Sequence, residues 1–121
     1  MRKVYNVLQN EARTSFHLQE KTVFKATGQM LADSDTQAFI YIVEENEQYS
    51  YLAFQYDTWE SLLYYLKQQQ DPVVVIGDES LILTDFCEEL QSLVFNIEGN
   101  SNYGEQFVEM VEAVFAPVLQ K

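Results

Sequence analysis

The sequence predicts an α+β fold: a mainly antiparallel sheet of about five to seven short strands with about three helices, the last two forming a C-terminal helical pair. Three observations lead there. Apolar runs bounded by polar turns fill the first half, and the helical spacing i, i+3, i+4, i+7 takes over after residue 57. No repeat, low-complexity tract or linker interrupts the 121 residues, so a single domain over 1–121 is expected.

Lys3 to Leu8 and Thr14 to Gln19 are β-rich runs separated by the polar Gln9-Asn10-Glu11-Ala12, a pattern that suits an antiparallel hairpin. Thr22 to Lys25 reads as a third, brief strand. Gly28 to Asp35 breaks the pattern and reads as a loop or a single helical turn. The clearest β signal is the pair Ala38 to Val43 and Tyr49 to Phe54 around the acidic turn Glu44 to Gln48. Alternation puts Ala38, Ile40 and Ile42 on one face and Phe39, Tyr41 and Val43 on the other. Both faces are apolar, so this hairpin belongs at the centre, covered on both sides by helices or by another chain.

Asp57 and Glu60 have the spacing of a capping box, and Trp59, Leu62, Leu63 and Leu66 lay one helical face on a core. The tail Gln68 to Pro72 ends that helix. Val73 to Ile76 and Leu81 to Leu83 read as a hairpin around Gly77 to Ser80. Thr84 is placed to cap a second helix with Phe86, Leu90, Leu93, Val94 and Ile97 inward, and Gly99 to stop it in a left-handed conformation. Asn102 and Glu105 repeat the capping-box spacing for a third helix. Its inner face is Phe107, Met110 or Val111, Val114 and Val118, its outer face Glu105, Glu109 and Glu112, and Pro117 marks its approximate end.

Hydrophobic residues make up 47% and charged residues 21% of the chain, a balance of folded proteins despite a net charge of −12. The charge is uneven. Residues 57–121 carry twelve acids against Lys67 and Lys121, a net of −10. Such a field draws cations and basic partners and repels nucleic acid, whose binding rests on Lys and Arg displacing counterions. Arg2, Lys3, Arg13, Lys21 and Lys25 fall in the first 25 positions but are spread along the strands. Cys87 is the single cysteine, so no internal disulfide forms and a reducing compartment is compatible. The basic opening lacks an apolar run of signal-peptide length, and no segment reaches the roughly 20 apolar residues of a membrane span. The cytoplasm is the expected location.

Candidate sites each have a plainer alternative. Asp33-Ser34-Asp35 could present two hard oxygen ligands to Mg²⁺, but no Lys or Arg flanks it for phosphoryl chemistry, and Asp33 or Ser34 also suits a turn cap. His17, the only histidine, lies between Phe16 and Leu18 and points away from both. No nucleophile and base share a motif with it. Cys87 sits on the first turn of a helix beside Glu88, where the negative charge opposes thiolate formation. The pairs Glu88/Glu89 and Glu109/Glu112 lie on polar helix faces, which do not desolvate a carboxyl for acid–base work. Tyr41, Tyr49, Tyr51, Tyr56, Tyr64 and Tyr65 serve equally as core or as an interface. The stretch Asn96 to Glu105 could line a polar pocket or a partner contact through Asn100, Asn102 and Tyr103, or simply connect two helices.

Several segments resemble an uncharacterised family of short acidic proteins of bacilli and staphylococci. The residues carrying the resemblance are Gly28-Gln29-Met30-Leu31, Asp33-Ser34-Asp35, Ala38-Phe39, the Tyr49-to-Phe54 strand, Trp59, and the Asn96-to-Gly104 loop with Phe107, over about residues 28 to 115. The resemblance implies a cytoplasmic bacterial protein of unassigned function and supplies no functional residues.

The expected function is therefore a non-enzymatic interaction module that meets a basic protein partner through the acidic late helices. Glu105, Glu109, Glu112, Tyr103, Asn100 and Asn102 are the candidate contacts, and a homodimer on the aromatic sheet face is a further expectation. No cofactor, nucleic-acid or membrane partner is expected. The rivals are a small hydrolase or phosphotransfer enzyme with a metal at Asp33 and Asp35, and an immunity-type or nucleic-acid-mimic protein.

Overall fold

The computed structural model describes residues 3–12 and 15–119. The chain is α+β, and the described residues form eight strands in two mixed four-stranded sheets and four helices. The first sheet has the order β1-β6-β5-β4, built from β1 (Lys3–Asn6), β4 (Lys25–Asp33), β5 (Ala38–Glu45) and β6 (Gln48–Gln55). The second has the order β2-β3-β7-β8, from β2 (Leu8–Gln9), β3 (Phe16–Leu18), β7 (Val73–Ile76) and β8 (Glu79–Ile82). The helices are α1 (Trp59–Gln68), α2 (Phe86–Ile97), α3 (Glu105–Val114) and the single turn α4 (Ala116–Leu119).

The hairpin β5–β6 is central, as its sequence requires. Its turn holds two residues, Asn46 and Glu47, at φ 49° and 63°. Positive φ at both positions matches the right-handed twist of the flanking strands. Phe39, Tyr41 and Val43 are fully buried on the inner face with Leu52 and Phe54. Each such side chain contributes about 1.5–3 kcal/mol by leaving water. Phe39 packs against Trp59 at 5.0 Å between ring centroids and edge-on to Phe115 at 5.8 Å, while Tyr41 stacks on Phe86 at 5.8 Å. The second sheet closes the same core through Phe16, which meets Phe54 edge-on at 5.2 Å.

Several local readings are corrected. Lys3 to Leu8 does not form one arm of a hairpin: β1 pairs parallel to β6, Val7 donates its N–H to Ala53 O at 2.9 Å, and only Leu8 and Gln9 pair antiparallel with β3. Thr14, at the start of the other expected arm, lies outside the described residues. Thr22 to Phe24 form no strand, and the expected loop from Gly28 is mostly an edge strand, β4, because a bulge between Ala26 and Gln29 absorbs Gly28 at φ 76° and restores the alternation. The helices lie on the inner face of the central hairpin, and no described helix lies on the outer one.

The helix starts also differ. Trp59 Nε1 donates to Phe54 O at 3.0 Å and pins the ring in the core, so α1 begins there, after a 3-10 turn Tyr56–Thr58 that contains Asp57. No side-chain cap bond forms at its N-terminus, in place of the expected box. Thr84 does not cap α2. Its carbonyl accepts from the Tyr41 hydroxyl at 2.8 Å, the N-cap passes to Asp85 at φ 60°, and Asp71 Oδ1 accepts from the Cys87 N–H at 2.9 Å. Gly99 does take the left-handed conformation, at φ 65°. Past Val114 the helix breaks at Phe115, two residues before Pro117, whose ring would clash with the preceding turn. Phe115 and Leu119 join the core beside Phe107 and Val111, and Met110, Val114 and Val118 are half-buried.

Candidate interaction surface

Helices α2 and α3 turn their apolar faces to the sheets and their acids outward. On α2, Phe86, Leu90, Val94 and Ile97 recur at one-turn intervals and are fully buried. Glu88, Gln91, Ser92, Phe95 and Asn96 line a groove of about 520 Å³ on the opposite side. Phe95 is 44% exposed within it. Sequence reasoning passed over Phe95; its signal is a large ring on the polar stripe of an otherwise regular amphipathic helix.

The six residues singled out from sequence gather around the α2–α3 connection, and most of them hold it together. Asn100 Oδ1 accepts from the Asn102 N–H at 3.1 Å, and Asn100 Nδ2 donates to Asn96 O at 3.1 Å. This caps the 3-10 turn Ser101–Tyr103, so α3 starts from Gly104 rather than from an Asn102 box. Tyr103 is half-buried against Phe107 at 6.1 Å. Glu112 is not a free outer carboxylate, since its Oε2 accepts from the Gly99 N–H at 2.8 Å. Glu105 and Glu109 are exposed. Glu105 on the first turn of α3, like Glu88 and Glu89 on the first turn of α2, also faces the positive end of a helix dipole.

Two of the early cations, Lys3 and Lys25, sit on the first sheet. Lys3 lies 5.8 Å from the Tyr5 ring centre, and Lys25 pairs in register with Glu44. Arg2 and Arg13 lie outside the described residues.

The other candidates fall elsewhere. Asp33 Oδ1 accepts from the N–H groups of Asp35 and Thr36 at 3.1 and 3.3 Å, closing the turn between β4 and β5. Among the described residues no group of three or more His, Cys, Asp or Glu could hold a metal ion. His17 sits in β3 between buried Phe16 and Leu18 and shares the opposite face with Leu8 and Val75. Burial pushes the Cys87 thiol above its ordinary range, and the charges of Asp71 and Glu88 push the same way. The tyrosines divide: Tyr41 is buried with its hydroxyl bonded, Tyr65 packs on Phe16, and Tyr49, Tyr56 and Tyr64 are about half exposed. No described helix is long and apolar enough to cross a membrane.

Comparison with known proteins covers almost the whole chain. The profile of a family of unknown function, UPF0738, matches residues 3–115, which takes in the N-terminal strands as well as the later elements. A UPF0738 protein of Lysinibacillus sphaericus is 42% identical, with 98% of each chain covered. One from Staphylococcus aureus is 38% identical over 95% of this chain and 97% of its own, and one from Staphylococcus saprophyticus is 47% identical over 73% and 72%. No solved structure matches the chain significantly. The chain belongs to UPF0738, a bacterial family whose function is unknown.

Proposed function

We propose that this protein is a non-enzymatic, cytoplasmic interaction module whose acidic α2–α3 surface receives a basic segment of a protein partner. The observation that carries the reading is Phe95, 44% exposed in a groove that it shares with Glu88. An acidic helix face alone is ordinary solvated charge. A ring sharing a groove with a carboxylate is a different surface, because it takes the apolar stem of Arg or Lys and the face of a guanidinium while the acid pairs the charge. Glu105 and Glu109 on the neighbouring helix extend the field, and Glu112 is excluded from it by its bond to Gly99. The single cysteine supports the reducing location.

The reading predicts how a short amphipathic peptide of arginine and leucine binds. Its affinity should fall about tenfold on Phe95→Ser and on Glu88→Lys, and should weaken steeply with salt, since exposed charge is screened beyond about 8 Å at physiological ionic strength. Reversing Asp78 and Glu79, exposed acids at the β7–β8 turn, should leave it nearly unchanged. An equal loss from either set of reversals would show unspecific attraction to net charge and end the proposal.

A further inference from the structure

The β1-β6-β5-β4 sheet has a second face that no described helix covers. Ala38, Ile40 and Ala53 are buried there, and the apolar side chains packed on them, Leu31 and Tyr51, belong to the same sheet. Close by, Val4 is 57% and Tyr49 49% exposed, and Gln29, Ile42, Tyr49 and Tyr51 ring a shallow depression of about 150 Å³. In a chain of net charge −12, the paired positions of this face carry three charged side chains among the described residues. Lys25 and Glu44 stand opposite each other at one end, and Asp33 stands at the other.

We propose that a second copy of this chain covers the face, the two sheets packing about a two-fold axis that runs across the strands at the level of the Tyr41–Leu52 pair. Such an axis exchanges the ends of every strand, and the strand register then decides what meets what. Lys25 of one copy comes over Asp33 of the other, twice by symmetry. Tyr51 comes over Ala53, Ile42 over Ile40, and Glu44 over Ala38. The cation at one end meets a carboxylate. An axis along the strands would instead lay β4 over β1, whose described residues on this face, Val4 and Asn6, carry no charge to meet Lys25 or Asp33.

The size suffices. Four strands about 4.8 Å apart and up to about eight residues long, at about 3.3 Å each, give about 500 Å² per copy, or about 1,000 Å² for the pair before side-chain relief. That reaches the lower bound of specific interfaces. Face-to-face packing of aligned twisted sheets about 10 Å apart is a common way to bury such a surface. For a chain this negative, a nearly neutral face is also where a second copy approaches with least repulsion. The α2–α3 surface takes no part, because α2 packs on the inner face through Phe86 and Tyr41, so the two proposals fail separately.

Sedimentation equilibrium of the full chain over micromolar concentrations tests the proposal. It should show a reversible monomer–dimer equilibrium. Lys25→Glu should raise the dissociation constant about tenfold by setting like charges against each other. Adding Asp33→Asn, which keeps the Oδ1 acceptor that closes the β4–β5 turn, should recover most of that loss. Circular dichroism confirms that each variant is folded. A chain that stays monomeric at hundreds of micromolar, a dimer indifferent to Lys25→Glu, or a weakened dimer that Asp33→Asn does not recover would each overturn it.

Discussion

The Tyr5 hydroxyl donates to a carboxylate oxygen of Glu45 across 2.6 Å, joining β1 to the end of β5 over forty positions of sequence. Ser50 Oγ donates to the same oxygen at 2.8 Å, and Thr22 Oγ1 to the other at 3.4 Å. Glu45 is only 6% exposed, so these donors are what make a charge tolerable on the inner face. The arrangement ties the parallel edge strand, the approach to β4 and the central hairpin to one carboxylate. Tyr5→Phe should therefore cost about 1.5–3 kcal/mol, the range for a hydrogen bond to a charged group. Urea denaturation of the variant measures it.

The same cluster makes part of the stability depend on pH. Burial by itself would raise the Glu45 carboxyl, but the hydrogen bonds from Tyr5 and Ser50, with the Lys3 charge and Thr22, outweigh it and hold the group below its ordinary value of 4.5. A depressed folded-state pKa contributes stability that is complete above the unfolded value and is lost as pH falls through the folded one. Melting temperature should fall on acidification below about pH 4.5, and Glu45→Gln should be less stable near neutrality but show a shallower acid decline. An acid decline unchanged by Glu45→Gln would mean that other carboxylates set it.

Gly28 is held in place from two sides. Its N–H donates to the Tyr41 hydroxyl at 3.0 Å, and a Cβ built on it would lie 2.8 Å from Asp85 Oδ2. With φ at 76°, Gly28→Ala adds backbone strain to that clash and should cost about 1–3 kcal/mol. Asp85→Ala should be milder alone and should recover the steric part of the loss in the double variant. Thermal denaturation of the four proteins forms the cycle.

Asp71 stands in for a local cap on α2. Asp71→Ala should cost about 1 kcal/mol through the lost bond to the Cys87 N–H. It should also make the thiol easier to ionise, because the Asp71 charge is one of the causes that raise it. Alkylation of Cys87 should be slow at neutral pH and faster in the variant. Fast alkylation of the parent protein would contradict the burial described for this side chain.

Glu112 should behave as a loop fastener. Glu112→Ala removes the acceptor of the Gly99 N–H and should cost about 1 kcal/mol, measured by chemical denaturation. It should leave binding of a basic peptide nearly unchanged, whereas Glu109→Lys should weaken it.

The elements that sequence reveals are those whose signal is local and regular. Ala38 to Val43, Tyr49 to Phe54 and the stripe Phe86, Leu90, Val94 and Ile97 state their faces directly in the alternation or turn spacing of apolar residues. What escapes is decided by partners distant in the chain. Nothing near Lys3 specifies parallel pairing with β6, because that register is closed by Val7 on Ala53 and Tyr5 on Glu45. The bulge at Gly28 shifts the period of β4 and disguises the strand as a loop. The helix caps expected at Asp57, Thr84 and Asn102 do not form: Asp57 lies inside a 3-10 turn, the Cys87 N–H goes to Asp71, and the Asn102 N–H goes to Asn100. Exposure of the late acids is legible in sequence, but the tether on Glu112 requires the fold.

Whether the α2–α3 surface is where a partner binds is decided by cross-linked capture from a bacterial extract at low salt. The intact protein and a variant carrying Glu88→Lys, Phe95→Ser, Glu105→Lys and Glu109→Lys are compared by mass spectrometry. One basic protein should be cross-linked near α2 and α3 by the parent, lost from the variant and lost at high salt. The same protein recovered equally by both would contradict a binding role for this surface.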